Sequence, residues 1–451
     1  MKLNSLFHVI DYFKTGPDLE VIQDEQTVKR IYERKRWAVF LTLIIGFGFF
    51  YTCRLSFSVA KKPMLDAGIL DPVQMGIIGA VLLYVYAIGK FVNGLLADYA
   101  NIRKFMSIAL FCSAILNLIF GFTSLFVLFV IIWALNGWFQ SIGSAPSVVS
   151  ICQWFSNKER GTRYGIWAGA HNLGEGLTFV GTSFLISMMG WRWGFIGPGI
   201  VCLLVSSIMF FNLADRPQTY GLPIVADYKK DYSAGKPLNE STGKLQRMVL
   251  KRPIIWILGL SSALMYVCRY GIHSWGPLYL QEVKNYSIVE SGVIIGANTV
   301  IGLLGAVTSG LISDKFFHSK RNIPTLLYGI LLTGSLTMLM LVPPGHRWLD
   351  IIAIGGFEFA IGGLIVFLAG LIAVDVMPKK AAGAVKGLIG LFSYLGAATQ
   401  DWISGFLIDS GKIVTGSETN YNFDKVFYFW IGASVVSLFL ACFAWNIKPQ
   451  E

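Results

Sequence analysis

The stretch "GLLAD" at Gly94–Asp98 returns as "GLISD" at Gly310–Asp314, 216 positions later. A second pair, "GTRYG" from Gly161 and "GAVKG" from Gly383, is offset by 222. Short related motifs at nearly one spacing mark a parallel duplication with small loop insertions. Each half is then one structural unit, and the sequence flanking the motifs says of what kind.

Outward from each motif run apolar segments long enough to cross a bilayer, which takes about 20 residues. Six lie near 37–59, 74–96, 104–122, 124–153, 163–189 and 193–214. Six more lie near 254–280, 288–312, 324–343, 350–377, 384–408 and 426–446. The expected fold is an all-α membrane protein, with twelve transmembrane helices in two pseudo-symmetric six-helix bundles. Residues 1–36 form an N-terminal leader, 37–214 the first bundle, 215–253 a polar central loop and 254–451 the second bundle. Composition agrees: 54% of the 451 residues are hydrophobic and only 14% charged, too apolar for an ordinary soluble protein. The leader has no apolar core followed by a small-residue cleavage site, so no cleavable signal is expected. The six cysteines (Cys53, Cys112, Cys152, Cys202, Cys268 and Cys442) fall in apolar segments without metal-ligand spacing and read as small hydrophobes.

The basic residues give the orientation. With the amino terminus cytoplasmic, that side holds 26 Lys and Arg against 7 on the other, so both termini and the central loop are expected in the cytoplasm. The positive excess thus reads as membrane topology and not as a nucleic-acid surface. Four basic residues remain inside spans: Arg54, Lys90, Arg269 and Lys386. A charge at the centre of a membrane helix costs roughly 3 kcal/mol even on lenient scales, so each needs a reason. Arg54 in "FYTCRLSF" and Arg269 in "YVCRYGIH" differ by 215 positions and occupy nearly equivalent places in the repeat. Two arginines so related meet near the axis between the bundles and mark a site. The alternative is that they are structural cations paired with buried acids, of which Glu175 and Glu358 are the nearest in-span candidates. Paired acids, a nucleophile with its base, a Gly-rich phosphate loop and clustered His and Cys are all missing, so neither an enzyme, a metal nor a cofactor is expected.

At "GLLADYANIRK" (Gly94–Lys104) the chain resembles the loop signature of the major facilitator superfamily. Within that superfamily it is similar to the organophosphate:phosphate antiporters. The resemblance is carried by "GWFQSIG" (Gly137–Gly143), "SNKERG" (Ser156–Gly161), "AHNLG" (Ala170–Gly174), "DRPQTYGLP" (Asp215–Pro223), "YVCRYGI" (Tyr266–Ile272) and "PKKAAG" (Pro378–Gly383). "NIRKFMSIALFCSAILNLIFGF" (Asn101–Phe122) looks most like the hexose-phosphate branch, sensor-like members included. The resemblance implies two bundles around a central cavity open alternately to each side. It also implies exchange of inorganic phosphate for a phosphorylated organic substrate, most simply a hexose 6-phosphate such as glucose 6-phosphate. Glycerol 3-phosphate is the alternative substrate, and a transporter-like sensor the alternative role. By the same resemblance Arg54 and Arg269 are phosphate ligands and His171 lies beside the substrate path.

The chemistry of the residues fits. Guanidinium presents paired planar donors that match phosphate oxygens and stays charged when desolvated. One arginine from each bundle lets a single anion bridge the halves. Tyr51 and Tyr266 each stand three residues before an arginine, on the same helix face, and are candidate cavity residues. Lys90 follows Tyr86 by four; it either lines the cavity or snorkels toward the cytoplasmic side. Tyr394 of the eleventh span completes the candidate set, with Lys386 before it. Three departures from the family pattern stand out. Leu55 follows Arg54 where a lysine is common, Glu175 replaces a small residue, and Lys386 replaces a small residue or an acid. Lys386 is expected either to pair with Glu175 or Glu358 or to supply the cation lost at Leu55. His273, one turn beyond Arg269, reads as a supporting residue. The expected protein is a monomer in a bacterial plasma membrane, with sugar phosphate and inorganic phosphate as its small-molecule partners.

Overall fold

The computed structural model describes residues 11–231, 248–317, 321–368, 372, 382–415 and 418–443. Twelve long helices run through it. In the first half they are α1 (Glu25–Asp66), α2 (Pro72–Ala97), α3 (Ile102–Phe122), α4 (Phe126–Trp154), α5 (Asn157–Met189) and α6 (Trp193–Asn212). In the second they are α7 (Pro253–Glu282), α8 (Ile288–Phe316), α9 (Asn322–Leu341), α10 (Arg347–Val366), α11 (Ala382–Asp409) and α12 (Asp424–Cys442). A short antiparallel hairpin, β1 (Lys412–Thr415) with β2 (Glu418–Tyr421), joins α11 to α12. The Pro378–Gly383 motif falls largely outside the described residues, as does the last part of the tenth expected span.

Ten of these helices are long and apolar enough to cross a membrane by length and composition. The other two, α5 and α11, carry the polar and charged residues His171, Glu175, Lys386 and Asp401, which lower their hydropathy. Helix starts are set by local chemistry. Asp71 and Gln74 form a capping box ahead of α2, with Pro72 in the first turn. Ser287 and Glu290 do the same for α8. Gly190, at φ +85°, stops α5 in a conformation that a side chain would resist. α4 is interrupted after Gln140 and resumes at Ala145, where Pro146 has no N–H to continue the ladder. α1 begins at Glu25, well before the apolar run that starts near 37. Asp24 caps it through Gln26 and Thr27, and its polar first turns bury Val28, Tyr32 and Arg36, contacts that hydropathy does not register. Arg36 is held there by Glu33 at 3.3 Å and Glu159 at 2.7 Å.

Within the first half α1 packs on α5 and α6, and α3 on α4 and α6; within the second, α7 packs on α11 and α12, and α8 and α9 on α10. Between the halves α2 meets α11, α5 meets α8 and α1 meets α7. Helix direction gives the molecule two faces. One gathers the start of α1, the end of α12 and the central segment; the other carries the β hairpin. The halves approach most closely toward the hairpin face. A Cβ on Gly76 would stand 2.6 Å from the Asp401 carbonyl, and one on Gly176 2.7 Å from that of Gly296. Toward the opposite ends of the same helices, Gly161, Gly310 and Gly387 have nothing within 4 Å among the described residues. The two bundles are thus in close contact near the hairpin face, while at these three glycines toward the terminal face no side chain or backbone of another element crowds the helix among the described residues.

Candidate substrate site

Helical spacing puts the charged and aromatic candidates on inward faces. On α1, Tyr51 and Arg54 are one turn apart; on α7, Tyr266 precedes Arg269 by three and Tyr270 by four. The two arginines are each 7% exposed, so their charges are held inside the protein. Arg54 lies with its guanidinium 4.2 Å from the Tyr51 ring and 5.3 Å from the Tyr86 ring. Arg269 stands 5.8 Å from both the Tyr266 and Tyr270 rings. Tyrosine faces carry negative potential, so such rings moderate a buried cation without neutralising it.

Tyr394 of α11 ties the two halves together. Its ring centroid is 4.6 Å from that of Tyr86, 5.7 Å from Tyr266 and 6.1 Å from Tyr270. Lys90 points its ammonium at the same ring, at 4.7 Å, and lies 6.0 Å from Tyr86. Of the two readings left open for Lys90, the structure has the inward one. His171 sits beside Tyr51, rings 5.7 Å apart, with Nδ1 turned to the Ala168 carbonyl of its own helix. The structure thus brings Tyr51, Arg54, Tyr86, Lys90, His171, Tyr266, Arg269 and Tyr394 into one cluster, and adds Tyr270, which follows Arg269 directly in "CRYG".

Lys386 stands apart. Its side chain is exposed, and neither expected ion pair forms among the described residues. Glu175 is taken by Arg269, Oε1 to Nη2 at 3.1 Å, and Glu358 by His273, Oε1 to Nε2 at 2.7 Å. Lys386 lies near the start of α11, where the bundles part, whereas both acids lie deeper between helices. The idea that the arginines are paired with buried acids therefore applies to Arg269 and not to Arg54, which makes no ion pair among the described residues. Arg54, Lys90 and Arg269 bring three cations to the tyrosine cluster against one carboxylate there, Glu175, leaving a positive excess among the described residues. Such a cluster has the charge and the donors to take an oxyanion.

One layer nearer the hairpin face the bundles are bolted together. Lys61 Nζ donates to Ser274 Oγ at 2.7 Å and lies 3.5 Å from Asp401 Oδ1, while Ser274 Oγ donates to the same carboxylate at 2.6 Å. The ammonium also caps the Trp275 ring at 3.4 Å. Lys62 reaches Glu282 at 3.0 Å. Sequence reasoning placed Lys61 and Lys62 in a loop and passed over Asp401, an acid within the expected eleventh span. Its position in an apolar run was the available signal. Lys61 is fully buried because α1 continues past it to Asp66.

Comparison with known proteins agrees with this architecture. The Major Facilitator Superfamily model matches residues 33–399. A probable hexose phosphate transport protein of Chlamydia pneumoniae is 33% identical over 88% of this chain and 90% of its own. The membrane sensor protein UhpC of Salmonella typhimurium is also 33% identical, over 87% of this chain and 90% of its own. A glycerol-3-phosphate transporter of Bacillus subtilis is 31% identical over 97% and 98%. In fold, the chain is similar to a bacterial homologue of the human lysosomal transporter Spinster solved in an inward-facing, unoccupied conformation. That likeness has a TM-score of 0.72, 16% identity and coverage of 91% of this chain and 96% of that one. With its family-model match, its relatives over nearly full length and its two six-helix bundles, the chain belongs to the organophosphate:phosphate antiporter family of the major facilitator superfamily.

Proposed function

We propose that this protein exchanges a sugar phosphate, most simply glucose 6-phosphate, for inorganic phosphate across a bacterial plasma membrane by alternating access. The observation that carries this reading is the meeting of Arg54 and Arg269, one from each bundle, at a single buried tyrosine cluster with an excess of positive charge. A phosphate group brings up to two negative charges and several acceptor oxygens, which matches three cations offset by one carboxylate. The relatives with sugar-phosphate names support the organic half of the substrate. The basic-residue bias supports both termini, the 1–36 leader and the 215–253 segment lying in the cytoplasm. With that sidedness the form described here is sealed toward the outside by the Lys61–Ser274–Asp401 layer and parted toward the cytoplasm.

Transport is tested with purified protein in liposomes loaded with phosphate. Labelled glucose 6-phosphate should enter only when phosphate is inside, and should be preferred to glycerol 3-phosphate. Binding without turnover would indicate a sensor, the role that the name of the Salmonella relative describes. Entry independent of internal phosphate would rule out exchange.

A further inference from the structure

His273 lies between two carboxylates that belong to different bundles. Its Nε2 is 2.7 Å from Glu358 Oε1 of α10, and its Nδ1 is 3.8 Å from Glu175 Oε2 of α5. All three side chains are at least nine-tenths buried. Glu175 Oε2 has no hydrogen-bond partner among the described residues, while Oε1 of the same carboxylate holds Arg269. A neutral imidazole has a single N–H. If that N–H serves Glu358, Nδ1 turns a lone pair toward the unpartnered oxygen of Glu175, two acceptors face to face. A proton added at Nδ1 converts that opposition into a charge-assisted hydrogen bond.

We propose that the Glu175–His273–Glu358 cluster is a proton-binding site whose occupancy is linked to anion binding at Arg269. This inference rests on the phosphate reading given above. Glu175 is shared between a permanent cation and an imidazole. An oxyanion arriving at Arg269 competes with Glu175 for the guanidinium, and the carboxylate it displaces needs another cation. His273 supplies one by taking a proton from solvent onto Nδ1. No other bond forms or breaks, and the proton leaves when the anion does and Glu175 returns to Arg269. Linkage is reciprocal: phosphate raises proton affinity at the cluster, and protons raise phosphate affinity.

The surroundings leave His273 as the group that must respond. From α5 the charged group facing it is Glu175, with His171 one turn away; from α10 it is Glu358; from its own helix, Arg269. Across a small void of ≈ 30 Å³ stand Arg54 of α1 and Asp401 of α11, and Asp401 is already engaged by Lys61. α8 has no charged residue between Glu290 and Asp314. His171 is turned to a backbone carbonyl and bridges no pair of acids.

Isothermal titration of the full-length protein with inorganic phosphate, in two buffers of different ionisation enthalpy near neutral pH, measures binding and proton uptake together. The comparison is wild type against His273→Gln, which keeps a donor for Glu358, and against Glu175→Gln, which removes the charge to be compensated. The expected result is about one more proton taken up per phosphate by wild type than by either variant, with Glu175→Gln binding phosphate at least as tightly. Using differences removes the protonation of phosphate itself. Phosphate heat with the same proton count in all three proteins would overturn the proton site and leave the phosphate site standing. Silence of all three would remove the phosphate reading, and the linkage with it. If His273→Gln does not fold, Glu175→Gln alone decides.

Discussion

Arg54 and Arg269 occupy matching places in the two halves, yet their surroundings differ. Arg54 lies against the Tyr51 and Tyr86 rings and makes no ion pair among the described residues, whereas Arg269 is bound at 3.1 Å to Glu175, a side chain from the opposite bundle. The repeat places the two cations equivalently, and one of them has an internal anion. An empty site is therefore not a pair of bare guanidinium groups repelling each other. Arg54 thus has no internal counter-ion among the described residues, while Arg269 holds a carboxylate that an anion at the proposed site would have to displace.

This contrast can be broken most forcefully at Arg269. Removing its charge leaves Glu175 buried without its cation, and loss of one member of a buried pair costs about 3–5 kcal/mol. Arg269→Gln should therefore lower thermal stability sharply, while Arg54→Gln, which strands no acid, should leave the melting temperature near that of wild type. Equal melting temperatures would mean that the Arg269–Glu175 contact has no structural weight. Next in size is Arg54→Lys, where charge survives but the planar paired donors do not. Loss of a charge-assisted contact of about 1.5–3 kcal/mol predicts roughly ten- to a hundredfold weaker phosphate binding, read by titration.

The Lys61–Ser274–Asp401 layer at the hairpin face holds the two bundles independently of the arginines. Asp401→Asn leaves Lys61 buried beside a neutral amide, which favours the form open on that side. Cysteine labelling at a residue flanking Asp401 should rise in the variant, and unchanged labelling would make the Lys61–Asp401 pair a bystander. The smallest effect belongs to the aromatic shell. Tyr394→Leu removes the ring facing the Lys90 ammonium, a contact worth about 0.5–2 kcal/mol, so phosphate affinity should fall by roughly two- to thirtyfold. A loss of roughly a hundredfold, beyond what the ring contact accounts for, would show that the Tyr394 hydroxyl itself holds the anion.

Much of this was legible before any coordinates. The repeat located the arginines, and spacings of three placed Tyr51 and Tyr266 on their helix faces, because helix periodicity is local and visible in a chain; the spacing of Tyr86 and Lys90 gave them a shared face but left its direction open. What the sequence hides is which helix faces which across the bundle interface. Tyr394 could be named as a candidate, but its part as the ring shared by Tyr86, Tyr266 and Tyr270 emerges only when α2, α7 and α11 converge. The same holds for the acids: Glu175 and Glu358 could be singled out, but their partners, Arg269 and His273, lie on α7. Lys386, an attractive cation by sequence, turns out exposed because it lies where the bundles diverge.

The central claim is that the two arginines form one anion clamp whose asymmetry comes from Glu175. The most direct measurement is the phosphate affinity of Glu175→Gln alone and combined with Arg54→Lys or with Arg269→Lys. With the internal carboxylate neutralised, the two arginines should become equivalent, and each double variant should bind phosphate ten- to a hundredfold more weakly than Glu175→Gln. If either double variant bound phosphate as Glu175→Gln does, that arginine would not hold the anion, and the clamp would be wrong.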